Sequence, residues 1–274
     1  MTGLKRSGPG FAEVNGTKLH YEVAGNGYPL VLLHAGIADS RMWHMQFDLF
    51  SKFYRVVRYD MRGFGKSPAG DIDFSYYQDL HDLLKYLSIS PCHLIGVSLG
   101  ASTALNFVLT YPSMVHSLVL VASREGREKP SEALIRAWTD IDAMVEKGNV
   151  AEAVEQELRL WVDGPRRKPE QVNTKMRELV RMMNANNFAI PQGKGRSIAL
   201  QPLAFDRLEE IRVPTMVIAG EEDIPDVLES TEQVAMRIQG TRKVLISNAA
   251  HMVSMEKSEE FNKIVLDFLK GQTL

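Results

Sequence analysis

The sequence predicts an α/β fold in which a parallel sheet is covered by helices on both faces. Short apolar runs alternate with amphipathic helical segments through the first half of the chain. The runs are apolar at nearly every position, which is typical of parallel strands buried on both faces. A helical stretch at 124–208 interrupts this alternation, and apolar runs return after it. Such a stretch is most simply an insert laid over one edge of a continuous sheet.

The first half contains a hairpin followed by a series of buried strands. Segments 11–14 and 18–23 flank Asn15-Gly16, a dipeptide that favours the type I′ turn of a hairpin. The apolar runs that follow are predicted as strands at 29–33, 55–59, 92–97 and 117–121. Helices are predicted between them, where leucines and other apolar residues recur at helical spacing, at 41–50, 76–87 and 99–111.

The stretch 124–208 contains no buried strand pattern. Three charged amphipathic helices are predicted in it, separated by glycine and proline, at 131–147, 150–161 and 169–186. Strands return at 214–219 and 243–246, and a last helix at 258–269 has one apolar face. We therefore predict a core formed by 1–123 and 209–274. Residues 124–208 would form a helical cap over the carboxyl ends of the strands, where open α/β sheets bind ligands.

Composition excludes several classes of function. The chain has 274 residues and a net charge of −2, so neither nucleic acid nor an anionic membrane is an expected partner. The single cysteine, Cys92, cannot form an internal disulfide. No signal-peptide pattern or membrane-spanning apolar run is present. Neither metal-ligand spacing nor a nucleotide-binding motif occurs. We expect a soluble, cytoplasmic protein without metal or cofactor; no pattern indicates an oligomeric state.

The strongest motif is Gly96-Val97-Ser98-Leu99-Gly100. It directly follows a predicted strand and opens a predicted helix, which is the context of a nucleophile elbow. The helix start adds a positive dipole end and a free backbone N–H at Leu99. The alternative is an ordinary turn of small residues. The strand–turn–helix context favours Ser98 as a catalytic nucleophile.

A serine hydroxyl needs a base, and histidine titrates in the required range. The chain has seven histidines. His251 follows the last predicted strand, in a loop at the same sheet edge as Ser98. His44 is predicted in a surface helix, and four others are better explained by structural roles: His20, His81, His93 and His116. His34 belongs to the turn that carries Gly36. His251 is therefore the predicted base.

The third catalytic residue should be a carboxylate that orients the histidine. The loop Gly220-Glu221-Glu222-Asp223-Ile224-Pro225-Asp226 follows the strand at 214–219 and reaches the same edge. Asp223 is the predicted acid and Asp226 the second candidate. Glu221 and Glu222 are expected to face solvent or cap the next helix.

An oxyanion hole needs two backbone donors. Leu99 supplies one, and Gly36, in the turn after the strand at 29–33, is the predicted second. The alternative for this turn is a simple strand end. Asp60 and Arg62, in a glycine-containing loop, are expected to bond that loop rather than take part in catalysis.

Taken together, these motifs resemble those of the α/β-hydrolase superfamily over nearly the whole chain. They are His34-Ala35-Gly36, with alanine where glycine is usual, Asp60-x-Arg62-Gly63-x-Gly65-x-Ser67, Gly96-x-Ser98-x-Gly100, Gly220-x-x-Asp223 and Ala250-His251. The resemblance implies an eight-stranded, mostly parallel sheet with a helical lid, and esterase-like chemistry without a cofactor. Ala35 places a Cβ where the chain of such proteins usually turns freely.

The expected function is cleavage of a small carboxylic ester or related acyl substrate through an acyl-enzyme. The substrate would be the only partner that the sequence implies. Three alternatives stay open: a lactonase or C–C bond hydrolase with the same triad, a cofactor-free perhydrolase, and a small-molecule sensor with slow turnover and a protein partner. Residues of the cap that could line an acyl pocket are Trp138, Met144, Trp161, Met182, Met183 and Phe188.

Overall fold

An eight-stranded sheet organises the molecule. The computed structural model describes residues 7–125, 129–191 and 193–272. In chain order the strands are β1 (Ser7–Val14), β2 (Thr17–Ala24), β3 (Tyr28–Leu33), β4 (Tyr54–Tyr59), β5 (Cys92–Val97), β6 (Val115–Val121), β7 (Thr215–Gly220) and β8 (Arg242–Ile246). Their spatial order is β1-β2-β4-β3-β5-β6-β7-β8.

All neighbouring pairs from β4 through β3 to β8 are parallel, whereas β2 runs antiparallel to both β1 and β4. The eight-stranded, mostly parallel sheet is thus confirmed. Asn15 and Gly16, at the turn of the first hairpin, have φ values of 46° and 69°. Both signs are those that a type I′ turn requires.

Helices cover both faces of this sheet, as predicted. In chain order, the α-helices of the described residues are α1 (His44–Phe50), α2 (Tyr76–Tyr86), α3 (Leu99–Thr110), α4 (Glu132–Glu146), α5 (Val150–Leu158), α6 (Thr174–Ala189), α7 (Pro225–Arg237), α8 (Val253–Glu256) and α9 (Ser258–Lys270). Apolar side chains of α1 and α9 pack on one face, and those of α2 and α3 pack on the other. Every residue of β5 and β7 is buried, which explains their nearly continuous apolar sequences.

The stretch between β6 and β7 is helical, with two corrections to the predicted elements. The predicted helix at 169–186 is wrong at its start: a 3₁₀ turn, Pro169–Gln171, precedes α6. The Asn173 side chain accepts a hydrogen bond of 3.0 Å from the N–H of Met176, so this residue caps a new helix. Similarly, α5 continues as a five-residue π-helix, Arg159–Asp163, rather than as α-helix.

Ion pairs hold this helical stretch together and attach it to the sheet domain. Arg177 of α6 forms a two-pronged pair with Asp163, at 2.8 and 2.9 Å, and therefore fixes the π-helix. Arg167 pairs with Glu256 of α8, near the carboxyl edge of the sheet. These contacts position the insert over that edge. The domain limits 1–123, 124–208 and 209–274 stay a prediction.

None of the helices in the described part of the chain combines the length and the apolar character that a bilayer crossing requires.

Candidate active site

Ser98 occupies a sharp turn between the end of β5 and the start of α3. Its backbone has φ 53° and ψ −112°, a conformation that residues with a side chain rarely adopt. Such strain costs about 1–3 kcal/mol and is concentrated at functional sites. The Ser98 N–H donates a hydrogen bond of 2.9 Å to the carbonyl of Val121 on the neighbouring strand. The strained serine is therefore held by the sheet itself.

Close backbone approach explains the two glycines around this serine. A Cβ at Gly96 would lie 2.2 Å from the carbonyl oxygen of Gly100. A Cβ at Gly100 would lie 2.4 Å from the carbonyl oxygen of Leu33 on β3. Any larger residue would push α3 away from the sheet, because real contacts between such atoms are longer than 3 Å. The spacing of the motif thus has a steric cause.

His251 and Asp223 form a buried pair at the same edge. The Nδ1 atom of His251 lies 2.8 Å from Oδ2 of Asp223, and the other carboxylate oxygen accepts a hydrogen bond of 2.8 Å from the N–H of Ile224. An ionised carboxylate only accepts hydrogen bonds, so Nδ1 carries the proton and Nε2 has a free lone pair. This is the tautomer that a general base needs.

The other carboxylates of the loop 220–226 have different partners. Asp226 accepts hydrogen bonds from the N–H and the hydroxyl of Ser131, at 2.7 and 2.8 Å. It therefore anchors the start of α4 rather than His251. Glu221 is exposed, and Glu222 is half-buried and pairs with Arg166. Of the two aspartates left open by the sequence, the structure brings only Asp223 to the histidine.

Gly36 and Leu99 line the same cavity as Ser98. Within the described residues, no acceptor takes up the backbone N–H of either residue. Leu99 is the first residue of α3, so its N–H has no partner inside the helix. Both donors therefore remain available to a ligand in the cavity.

His34 fixes the loop that carries Gly36. Its Nε2 accepts a hydrogen bond of 2.9 Å from the N–H of Met61, so its Nδ1 donates to the carbonyl of Ala35 at 2.9 Å. Complete burial lowers the pKa of His34 and keeps the ring neutral. Ala35 is buried and has no positive φ. Its Cβ therefore imposes no backbone strain at this turn.

The remaining histidines lie away from the cavity. His44 is the first residue of α1 and is exposed, and its ring contacts Arg58. Burial lowers the pKa of His93 to about 4, and its ring bonds to the Ser117 hydroxyl. His20 bonds to Asp60, which also accepts hydrogen bonds from the backbone N–H groups of Ser40 and Lys66. The loop residues Asp60 and Arg62 are thus engaged in structural bonds, Arg62 with the carboxylate of Asp79.

The cavity above Ser98 has a volume of about 240 Å³. The residues that line it are Ala35, Gly36, Ile37, Ser98, Leu99, Arg124, Trp138, Glu157, Trp161 and His251. Trp161, in the π-helix, contacts His251 directly: its ring lies 4.5 Å from the ring of His251, and its carbonyl accepts the His251 N–H at 3.2 Å. Isolated π-helical turns are frequent at functional sites.

Two of the cap residues proposed to line an acyl pocket, Trp138 and Trp161, line this cavity. The other four do not. Met144 lines a separate cavity of about 670 Å³, and Phe188 lines one of about 380 Å³. Met182 is 51% exposed, whereas Met183 is buried in the core.

Arg124 and Glu157 are the lining residues that the sequence analysis missed. Arg124 lies three residues beyond the end of β6, at the carboxyl edge where the site was expected. This position could have identified Arg124 as a candidate site residue. Glu157 lies in the last turn of α5, and nothing in its local sequence separates it from the neighbouring solvent-facing glutamates.

No group of three or more His, Cys, Asp or Glu side chains suited to a metal ion occurs within residues 7–125, 129–191 and 193–272.

Comparison with known proteins defines the class. Residues 28–258 match the family model described as alpha/beta hydrolase fold. The chain therefore belongs to the α/β-hydrolase family, and it is an enzyme of that family. Both the resemblance drawn from its motifs and the fold class are confirmed.

Relatives of known activity are hydrolases of several kinds. The chain is 25% identical to the (E)-2-((N-methylformamido)methylene)succinate hydrolase of Acinetobacter baylyi, over 93% of this chain and 95% of that protein. It is 29% identical to a 2-hydroxy-6-oxononadienedioate/2-hydroxy-6-oxononatrienedioate hydrolase of Paraburkholderia phymatum, over 92% and 91%. Among solved structures, a hydrolase from Pseudomonas aeruginosa has a TM-score of 0.77 and 25% identity, over 96% of this chain and 98% of that one.

Proposed function

We propose that the protein is a serine hydrolase that cleaves a small carboxylic ester or related acyl substrate through an acyl-enzyme. Ser98 is the nucleophile, His251 the base and Asp223 the acid. The observation that carries the proposal is the shared cavity: a strained serine and a histidine with a free Nε2 line the same space. The family supports hydrolysis, and the proposal adds the bond and the residues.

In the first half of the reaction, Nε2 of His251 takes the proton of Ser98 as its oxygen attacks the acyl carbonyl. The backbone N–H groups of Gly36 and Leu99 stabilise the oxyanion of the tetrahedral intermediate; losing one such donor typically costs about 10²–10³ in rate. The imidazolium then protonates the leaving alcohol, and the acyl group remains on the serine. Asp223 stays ionised and stabilises the imidazolium.

In the second half, His251 takes a proton from water, and the resulting hydroxide equivalent attacks the acyl-enzyme. The tetrahedral intermediate collapses, the acid leaves, and Ser98 recovers its proton from the imidazolium. The proposed substrate is a small molecule because the cavity, at about 240 Å³, encloses little more than a short acyl chain.

The nucleophile is tested with Ser98→Ala and a short p-nitrophenyl ester. We expect kcat to fall by about 10⁴–10⁶, as in other enzymes that lose a catalytic serine, and labelling by a fluorophosphonate probe to disappear. Ser102→Ala, one helical turn further along α3, is the matched control and should retain both. An unchanged rate in Ser98→Ala, with the fold intact by circular dichroism, would sink the proposal.

The acid is tested by comparing Asp223→Asn with Asp226→Asn. The first variant removes the acceptor that fixes the tautomer of His251, so kcat should fall by about 10⁴. The second removes the carboxylate that binds Ser131 at the start of α4. It should lower the melting temperature more than kcat. The opposite ranking in kcat would identify Asp226 as the acid.

A C–C bond hydrolase is the second candidate. Relatives that carry such names span nearly the whole chain, at 26–29% identity. The same Ser98, His251 and oxyanion donors would act on a vinylogous diketone. A side-by-side assay of p-nitrophenyl esters, lactones and a 2-hydroxy-6-oxodienoate decides between them: the candidate with the highest kcat/KM is retained. The perhydrolase, the sensor and the cytoplasmic location stay predictions.

A further inference from the structure

We propose that Arg124 and Glu157 form an acid-binding subsite, so that the preferred acyl substrate carries a carboxylate group distal to the bond that is cleaved. This inference rests on the proposed function, because it names the class of substrate for the same cavity. Both residues line the space that contains Ser98 and His251. One small ligand can therefore touch the reacting serine and this subsite together.

The guanidinium of Arg124 lies over two aromatic rings. It lies 4.8 Å from the ring centre of Trp138 and 5.8 Å from that of Trp161. Stacking on aromatic faces fixes the plane of an arginine and leaves its N–H edges free to bind a planar anion. Trp138 belongs to α4 and Trp161 to the π-helix, so these helical elements position a cation from the loop that follows β6.

The charge of Arg124 has no ion-pair partner within the part of the chain that the structure describes. Among the described residues, no carboxylate oxygen lies within 4 Å of its nitrogens, although most arginines in buried positions of this protein are paired that way. Burial lowers the pKa of Arg124, which expresses the cost of desolvating its charge. A bound carboxylate would offset that cost with charge-assisted hydrogen bonds.

Glu157 is suited to act as a donor beside this cation. Its Oε2 is shielded from solvent and has no hydrogen-bond partner among the residues that the structure describes. Burial raises the pKa of Glu157 to about 7; Asp142 on α4 adds to the rise and Arg124 opposes it. When Glu157 is protonated, it no longer adds to the carboxylate charges of Glu125, Asp226 and Asp223 that act on Arg124, and its O–H can donate to a substrate oxygen. An ionised Glu157 would instead repel an anionic ligand.

The geometry also places Glu157 between two chambers. It lines both the cavity above Ser98 and the cavity of about 380 Å³ that contains Phe188, and Gly36 is the other residue common to both. The two chambers therefore adjoin at the subsite. A carboxylate at Arg124 would orient the acyl chain beside Ser98 and leave the second chamber for the departing group.

The catalytic test uses paired substrates. Mono-4-nitrophenyl esters of C4 to C6 dicarboxylic acids are compared with the same compounds whose free carboxylate is methylated, after subtraction of enzyme-free hydrolysis. For at least one chain length, we expect kcat/KM to be about 10- to 100-fold higher for the free acid, the range of a charge-assisted contact. Equal rates, or a preference for the methyl ester at every length, would overturn the inference.

Variants then assign the preference to residues. Arg124→Gln should lower kcat/KM for the acid by about 10- to 100-fold, mainly through KM, and leave the methyl ester within about threefold. Arg124→Lys should recover part of the loss. Glu157→Gln mimics the protonated acid and should retain the preference at pH 8. Arg136→Gln, exposed on α4, is the control and should change neither substrate. Equal losses for both substrates in Arg124→Gln would refute the subsite.

A binding measurement separates this inference from the proposed function. In Ser98→Ala, titration with glutarate should quench tryptophan fluorescence, because Trp138 and Trp161 flank Arg124. Dimethyl glutarate should not, and Arg124→Gln in the same background should abolish the response. Arginine-dependent binding without ester hydrolysis would retain the subsite and reject the proposed function. Hydrolysis of both esters at one rate, without glutarate binding, would retain the proposed function and reject the subsite.

Discussion

Replacing Glu157 by glutamine should stabilise the protein, and more strongly at higher pH. The carboxyl group has its pKa raised from 4.5 to about 7 by burial. A raised pKa means that the folded state binds this proton more tightly than the unfolded chain does. The wild type therefore loses stability as pH rises from about 4.5 to about 7, and the contribution is level above that range. Glutamine keeps the shape of the protonated acid and removes the titration.

The size of the effect follows from the shift. At 1.36 kcal/mol per pKa unit, the rise from 4.5 to about 7 corresponds to about 3 kcal/mol above pH 7.5 and to less than 1 kcal/mol near pH 5. Urea unfolding of wild type and Glu157→Gln at pH 5 and pH 8 measures both values. Glu152→Gln, exposed on the same helix, is the control and should show the same difference at both pH values. A pH-independent gain in Glu157→Gln would refute the reasoning.

Two further predictions concern stability elsewhere. Gly100→Ala would force a Cβ to within 2.4 Å of the Leu33 carbonyl oxygen, so we expect insoluble or unfolded protein. Gly36→Ala is the control and should fold, because the nearest atom to its new Cβ lies 3.7 Å away. Circular dichroism distinguishes the two outcomes. Arg62→Met leaves the buried carboxylate of Asp79 without its two-pronged partner and should cost about 3–5 kcal/mol in urea unfolding. Changing Asp79 to leucine as well should recover part of that loss, and an unchanged midpoint in Arg62→Met would contradict the assigned pairing.

The sheet and the serine turn could be predicted because their causes are local. A strand buried on both faces needs apolar residues at nearly every position, and β5 is buried throughout. The turn at Ser98 needs glycine at Gly96 and Gly100 because backbone atoms would otherwise collide. Such requirements leave marks within a few residues of each other. The order of the elements then fixes which loops lie at the same edge of the sheet. That order predicted His251 at the edge that carries Ser98.

The helix boundaries in the insert could be predicted only in part. Segment 169–186 has a continuous amphipathic pattern, yet α6 begins at Thr174. Asn173 supplies a cap in mid-pattern, and a side chain that bonds to a nearby N–H competes with helix continuation. Which outcome prevails depends on packing, since Arg177 is held by Asp163 across the insert. The periodicity alone does not contain that contact.

Glu157 illustrates what sequence could not supply. Its raised pKa arises from burial and from the charge of Asp142, and Arg124 opposes the rise; neither residue is its neighbour in the chain. Arg124 is different, because its place just beyond β6 marks it as a residue of the ligand-binding edge. A charged residue shortly after a buried parallel strand can thus be recognised in the sequence as a candidate site residue, whereas a glutamate on an amphipathic helix cannot.

The placement of these residues argues against a simple division in which the sheet supplies chemistry and the insert supplies specificity. Arg124, which we propose binds the substrate carboxylate, follows a strand of the sheet, yet its guanidinium stacks on two tryptophans of the helical elements. Conversely, the insert accepts the backbone N–H of the proposed base through Trp161. Any exchange of the insert would therefore disturb His251 as well as the cavity wall. Altered specificity by that route should come with a lower kcat, even for substrates that fit the new cavity.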